Sequence, residues 1–137
     1  MADTYKVTGS IRRFNGFMMW LARRGMGPSS VLTTKGRRTG LPRQVPVSPM
    51  TVDGLEYLVS PYGRVDWVEN VRASPEVSLT RGGKTRSVRL VEVSQPRVVL
   101  AYRDREKFAR RYMDLPENAS EGDVKPGLFP VFRVEAV

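Results

Sequence analysis

Residues 35–40, Lys35-Gly36-Arg37-Arg38-Thr39-Gly40, place three cations and two glycines in six positions, and Leu41, Pro42 and Arg43 follow directly. Glycine admits φ > 0 and a close backbone approach, so N–H groups can point at an anion while the guanidinium forks and the ammonium supply charge. The chemistry this suits is the grip of an anion with several oxygens. The order is neither GxxxxGK[ST] nor GxGxxG, so neither a Walker loop nor a dinucleotide fingerprint is present. A solvated basic β-turn that binds nothing is the plain alternative.

The rest of the composition narrows what such a turn could serve. The chain has no histidine and no cysteine. That excludes Ser-His-Asp, Cys-His and His-based metal catalysis, thiolate zinc, Fe–S clusters and disulfides, so no metal site is expected and a reducing cytoplasm is the expected setting. Any redox chemistry has to be borrowed from a cofactor. The net charge of +9, from 23 Lys+Arg against 14 Asp+Glu, predicts attraction to a polyanion: nucleic acid, an anionic membrane face, or a phosphorylated or polycarboxylate ligand. At 137 residues the chain is expected to be one domain, residues 1–137, able to bury roughly two-thirds of its unfolded surface.

The elements that must position the turn are legible from periodicity. Ile11, Phe14, Phe17, Met18 and Leu21 recur at helical spacing with Arg12, Arg13, Arg23 and Arg24 around them, which predicts an N-terminal basic amphipathic helix at about 10–25. It either packs on a sheet or lies on an anionic membrane surface. Met1 to Val7 show no leader pattern, and no apolar run approaches a membrane span. Val31 to Thr34 predict a strand that enters the turn. Arg43 to Val52 predict a second strand, at an edge or bulge because Pro46 and Pro49 cannot donate to a ladder. Asp53-Gly54 marks a hairpin into Leu55–Ser60, Val65–Ala73 a short helix, and Glu76–Arg81 with Lys84–Val93 a second hairpin across Gly82-Gly83. Gln95–Met113 predicts a further helix, Leu115–Lys125 a loop and Leu128–Val134 a closing strand. The expected class is α+β: a small antiparallel split β-barrel of about six strands with flanking helices.

Leu32 to Arg43, followed by Leu58-Val59-Ser60, then Trp67 and Asn70, then Ser74-Pro75-Glu76-Val77, resembles the deazaflavin-dependent nitroreductase and quinone reductase family. Pro61-Tyr62 stands where that family commonly has Lys-Gly. The resemblance implies an FMN-binding-like split barrel that holds the reduced deazaflavin coenzyme F420 and passes its hydride to an electrophilic acceptor such as a quinone or a nitro-compound. It implies Arg37, Arg38, Thr39, Gly40, Leu41, Pro42 and Arg43, with Lys35 nearby, around the phosphate and oligoglutamate tail. Val31, Leu32 and Thr33 would line the side of the ring, Leu58, Val59 and Ser60 its edge, and Asp66, Trp67, Val68, Glu69 and Asn70 a wall with a hydrogen-bond partner in Asn70. Tyr112 is the implied pocket wall and proton donor, with Ser60 a further catalytic candidate and Tyr102 and Tyr62 behind them.

Other readings of the same residues stay open at this level. A split barrel holding FMN could use the same turn for its phosphate. A nucleic-acid module would account for the charge, but the aromatics are not interleaved with basic residues as a stacking platform needs, so no nucleic acid is expected. Contact with the inner face of the cell membrane through the N-terminal helix is compatible with an enzyme acting on quinones, and a homodimer is compatible with either.

Overall fold

The computed structural model describes residues 9–27, 29–106, 109 and 113–137. Helix α1 spans Gly9–Arg23, and strand β1 (Ser30–Lys35) leads through the basic turn into β2 (Pro42–Val47), β3 (Met50–Val52) and β4 (Leu55–Val59). Helix α2 (Asp66–Ala73) follows, then the hairpin of β5 (Glu76–Arg81) and β6 (Lys84–Val93), helix α3 (Pro96–Arg105), a 3-10 turn at Glu121–Asp123 and β7 (Val131–Ala136). The strands form one antiparallel sheet in the order β2-β1-β5-β6-β7-β4-β3.

That order dictates the shape. β2 and β3 are the two edges of a seven-stranded sheet, yet only Ser48 and Pro49 separate them in the chain. Laid flat, six inter-strand steps would hold the edges roughly 29 Å apart, whereas three Cα steps reach about 11 Å at most. The sheet therefore has to curl until its edges nearly meet, which makes a split barrel.

Two differences from the sequence-based expectation follow from this closure. Arg43–Val52 is not one strand, because Ser48-Pro49 breaks it into pieces on opposite edges, and the strand count rises to seven. Pro46 does sit on an edge strand, as its missing donor requires. The last strand begins at Val131, later than Leu128, and the 95–113 segment is regular helix from Pro96 to Arg105. Tyr112 and the side chains of Ile11 and Phe14 lie outside the described residues.

Curling gives the sheet a covered inner face, while helices cover only part of its outer face and most of β2 and the first half of β6 stay exposed. Inside, Leu32, Leu58, Val77, Leu79, Val88, Leu90 and Phe132 pack with Trp67, Val68 and Val71 of α2, which plugs the barrel. The Trp67 and Phe132 rings meet at 5.5 Å with a 52° tilt. On the outer face of β3, β4 and β7, Met50, Tyr57, Val59 and Val131 pack under Val98, Val99 and Tyr102 of α3. Strand alternation thus sends Leu58 inward and its neighbours Tyr57 and Val59 outward.

Helix α1 lies across β1, β2 and β5, and its end is pinned to the β5–β6 turn. The Gly82 N–H donates to the Ala22 carbonyl at 2.9 Å, and the Arg81 guanidinium donates to the carbonyls of Ser29, Gly27 and Gly25. Gly82 has φ +58°, and a Cβ there would meet the Gly25 Cα at 3.3 Å. Gly83 shares the positive φ (+79°) but has open space around it. Gly83→Ala should therefore cost about 1–2 kcal/mol for the backbone conformation alone. Gly82→Ala should cost more, with a lower urea midpoint in equilibrium unfolding, because the helix end must also move.

Candidate functional site

The strand register brings several segments to one end of the barrel. Lys35 pairs with Pro42, Thr33 with Ser78, Glu76 with Arg89, Val93 with Val131 and Val59 with Val131. The basic turn, the 60–65 loop and α2 therefore share that end with the 124–130 loop.

The turn closes on itself. Gly36 N–H donates to the Leu41 carbonyl and Gly40 N–H to the Gly36 carbonyl, both at 2.8 Å. Thr39 Oγ1 accepts the Leu41 N–H at 3.2 Å. A Cβ on Gly36 would lie 3.0 Å from the Leu41 carbonyl oxygen and 3.1 Å from Thr39 Oγ1, so the turn would have to shift to admit one, and Gly40 takes φ +75°, which favours glycine there.

A buried amide ties this loop to α2. Asn70, 3% exposed, accepts the backbone N–H of Arg37 (3.2 Å) and its Nη1 (2.9 Å) on the same Oδ1. Its Nδ2 donates to Thr34 Oγ1 at 3.2 Å, and the Thr34 hydroxyl donates onward to the Arg43 carbonyl at 3.5 Å. Asp66 and Asn70 are one helical turn apart and share a face. The Arg37 guanidinium spans them, reaching the Asp66 carbonyl (3.4 Å) and carboxylate (3.3 Å) as well.

The neighbouring cations are used differently. Among the described residues, the charged ends of Lys35, Arg38 and Arg43 have no hydrogen-bond or ion-pair partner, and all three side chains are exposed. Elsewhere many guanidinium groups are matched, Arg64 and Arg72 with Glu69, Arg72 with Glu92, Arg86 with Glu56, Arg89 with Glu76, and Arg97 with Asp53, while the other partnerless cations among the described residues, such as Arg13, Lys84 and Lys125, are scattered along the chain. The donor set left open at the turn suits a phosphodiester and a carboxylate chain.

The other sequence candidates fall into two groups. Thr39, Gly40, Leu41, Pro42 and Asp66 are exposed, and Thr33 and Glu69 are half-buried, Thr33 accepting from Gln44 and Glu69 paired with Arg64 and Arg72. Val31, Leu32, Leu58, Val59, Trp67 and Val68 are buried and pack the core beneath. Ser60 is fully buried, and its hydroxyl donates to the Gly63 carbonyl at 2.5 Å, holding the turn that leads into α2. A groove of about 250 Å³ opens between Ser94–Pro96 and Val124–Val131, but it touches neither the basic turn nor α2.

Thr34 was not among the residues singled out from the sequence. It lies two positions beyond inward-facing Leu32, so strand alternation sends its hydroxyl into the barrel, where it needs a partner. Tyr102 is 4% exposed, and its phenol is pushed far above the ordinary range by burial first, then by the Glu106 carboxylate and by Tyr62. Burial also raises the Glu106 carboxyl, against a smaller opposing pull from Arg105.

The curled seven-stranded antiparallel sheet, plugged by one helix and flanked by two, defines an α+β split-barrel protein. The profile of the F420H(2)-dependent quinone reductase family matches residues 5–119, and the chain belongs to that family. It is thus an oxidoreductase that depends on reduced coenzyme F420. Among solved structures, the F420-H2 dependent reductase FDR-A is 24% identical with a TM-score of 0.56, covering 79% of this chain and 94% of its own. A structure described as a domain-swapped dimer is 22% identical with a TM-score of 0.52, covering 79% and 80%. A NimC/NimA family protein from Clostridium acetobutylicum is 14% identical with a TM-score of 0.55, covering 93% and 83%. At these identities the likeness is one of fold. No curated protein matches the chain.

The sign of the Glu106 shift gives a test of its burial. A carboxyl whose folded pKa lies above the ordinary value contributes stability that is fully present below pH 4.5 and is lost as the pH rises through the folded pKa. Glu106→Gln should therefore raise the urea midpoint at pH 7, and the gain should vanish below pH 4.5, where wild type carries a neutral carboxyl in both states.

Proposed function

We propose that the chain, working as one split-barrel domain, transfers a hydride from reduced F420 to a small electrophilic acceptor of the quinone or nitro-aromatic kind. The observation that carries this reading is the set of unpaired cations Lys35, Arg38 and Arg43 on a turn whose backbone is already closed. They would hold the phosphate and glutamate tail, and the overall positive charge would steer the polyanion in. When bound, the coenzyme supplies the hydride chemistry. The chain's part is to fix the donor and acceptor within near-attack distance, exclude water and provide a proton where negative charge develops. Tyr112 is proposed for that proton on the family resemblance. Ser60 could serve only by giving up its bond to Gly63.

A second surface supports contact with a membrane. Phe17 and Trp20 are 57% and 47% exposed on α1, their rings stacked at 6.3 Å, and the Arg24 guanidinium lies 4.2 Å over the Trp20 ring. Among the described residues no helix is long and apolar enough to cross a membrane. An aromatic pair with a cation at its edge suits the headgroup zone of an anionic bilayer, where quinones partition.

Two measurements test these assignments. Wild type should quench deazaflavin fluorescence on titration and oxidise the reduced coenzyme only when an acceptor is added. Arg38→Ala should bind about tenfold more weakly, the scale of one lost charge-assisted hydrogen bond. Absence of quenching by wild type would end the coenzyme reading. Wild type should cosediment with vesicles containing anionic lipid, and Trp20→Ala should lose most of that binding while keeping coenzyme affinity.

A further inference from the structure

We infer that Arg37, Asn70 and Thr34 are positioning residues that fix the shape of the anion-binding turn, and that contact with the coenzyme falls to Lys35, Arg38 and Arg43. The inference rests on the reading of the turn as the coenzyme's handle site. By residue type, Arg37 and Arg38 are interchangeable ligands for a phosphate. The structure separates them. The Arg37 guanidinium is folded back onto α2, donating to Asn70 Oδ1 and to both the carbonyl and the carboxylate of Asp66. Its side chain is 27% exposed, and no comparable partner meets Arg38 among the described residues.

The chain of bonds runs under both limbs of the turn. Asn70 holds the Arg37 backbone on the outgoing side, and through Thr34 Oγ1 it reaches the Arg43 carbonyl on the returning side. One buried side chain on a helix thus braces, from below, two limbs that carry the free cations and that the β1–β2 ladder already pairs at Thr34–Arg43 and Lys35–Pro42. Lys35 and Arg38 lie on one limb and Arg43 on the other. A turn held this way does not have to be ordered when the ligand arrives, which lowers the entropic cost of binding. Asn suits the position because it accepts from Arg37 and donates to Thr34 at once. Aspartate would keep the first role and lose the second.

Thr34 gives the decisive variant. It is 2% exposed, so no ligand can reach its hydroxyl, and valine matches its volume. Thr34→Val should weaken binding of oxidised F420 roughly tenfold, the scale of a buried polar group left without its partner, while Thr34→Ser restores it. The dependence of log Kd on log salt should keep its wild-type slope in Thr34→Val and in Arg37→Ala, since neither removes a ligand-contacting charge, but become shallower in Arg38→Ala. Amide hydrogen exchange reads the lock with no ligand present: the Arg37 N–H should be protected in wild type and exchange faster in Thr34→Val. Unchanged affinity and exchange in Thr34→Val, or an Arg37→Ala slope as shallow as that of Arg38→Ala, would overturn the inference with the coenzyme reading intact. If wild type fails to bind F420, the coenzyme reading falls, and the exchange experiment still decides whether the lock exists.

Discussion

A seven-stranded sheet whose two edges are joined by Ser48 and Pro49 cannot stay flat, and the rest of the structure depends on that connection. Once the sheet curls, its concave face becomes an interior that must be filled. Helix α2, arriving from β4 through the 60–65 turn, fills it with Trp67, Val68 and Val71. The convex face needs separate covers, which α1 and α3 provide. The sheet keeps two edge strands, β2 and β3, and proline at positions 42 and 46 removes donors from one of them.

The same geometry places a helix beside the basic turn. Because α2 plugs the barrel at the end where β1 leaves it, Asn70 can be buried in the core region and still bond to a surface loop. A buried amide has to satisfy its donors and its acceptor, and here both halves are spent on the outgoing limb of one loop, at Arg37 and Thr34, with the Thr34 hydroxyl passing the chain on to Arg43. The electrostatics follow a related division. Over most of the surface, arginines are matched with carboxylates, and such exposed pairs contribute little stability each. At the turn the positive charge is left unmatched, which is unfavourable by itself and favourable once an anion with several oxygens arrives. A chain without histidine or cysteine must bring in its redox chemistry with a bound partner, and on the proposed reading of the turn the F420 handle would meet that charge.

Much of this was legible in residue order. Strand β1, the turn, the Asp53-Gly54 and Gly82-Gly83 hairpins and helix α2 were each marked by local chemistry: β-branched runs, glycine pairs, a Ser-Pro stop. The Arg43–Val52 stretch misled because Val45, Val47 and Pro49 alternate with Gln44, Pro46 and Ser48, and periodicity over so short a run does not register that a strand has changed edges. The role of Arg37 was hidden for a similar reason. Adjacent arginines look alike in a sequence, and what distinguishes them is a helix thirty residues further along the chain.

By itself, the sequence determined the chemistry the protein could not perform unaided, the positive charge it would present, the glycine-bearing turn that concentrates it, and the family to which that turn belongs. These depend on residue type and near neighbours, which a linear reading preserves. Only the tertiary structure decided which cations stay free, that Thr34 and Asn70 brace the turn, and that Val31, Leu32, Leu58 and Val59 lie in the core. Those outcomes come from long-range closure: a sheet bent through its own connection chooses which distant groups become neighbours, and burial and pairing follow from that choice.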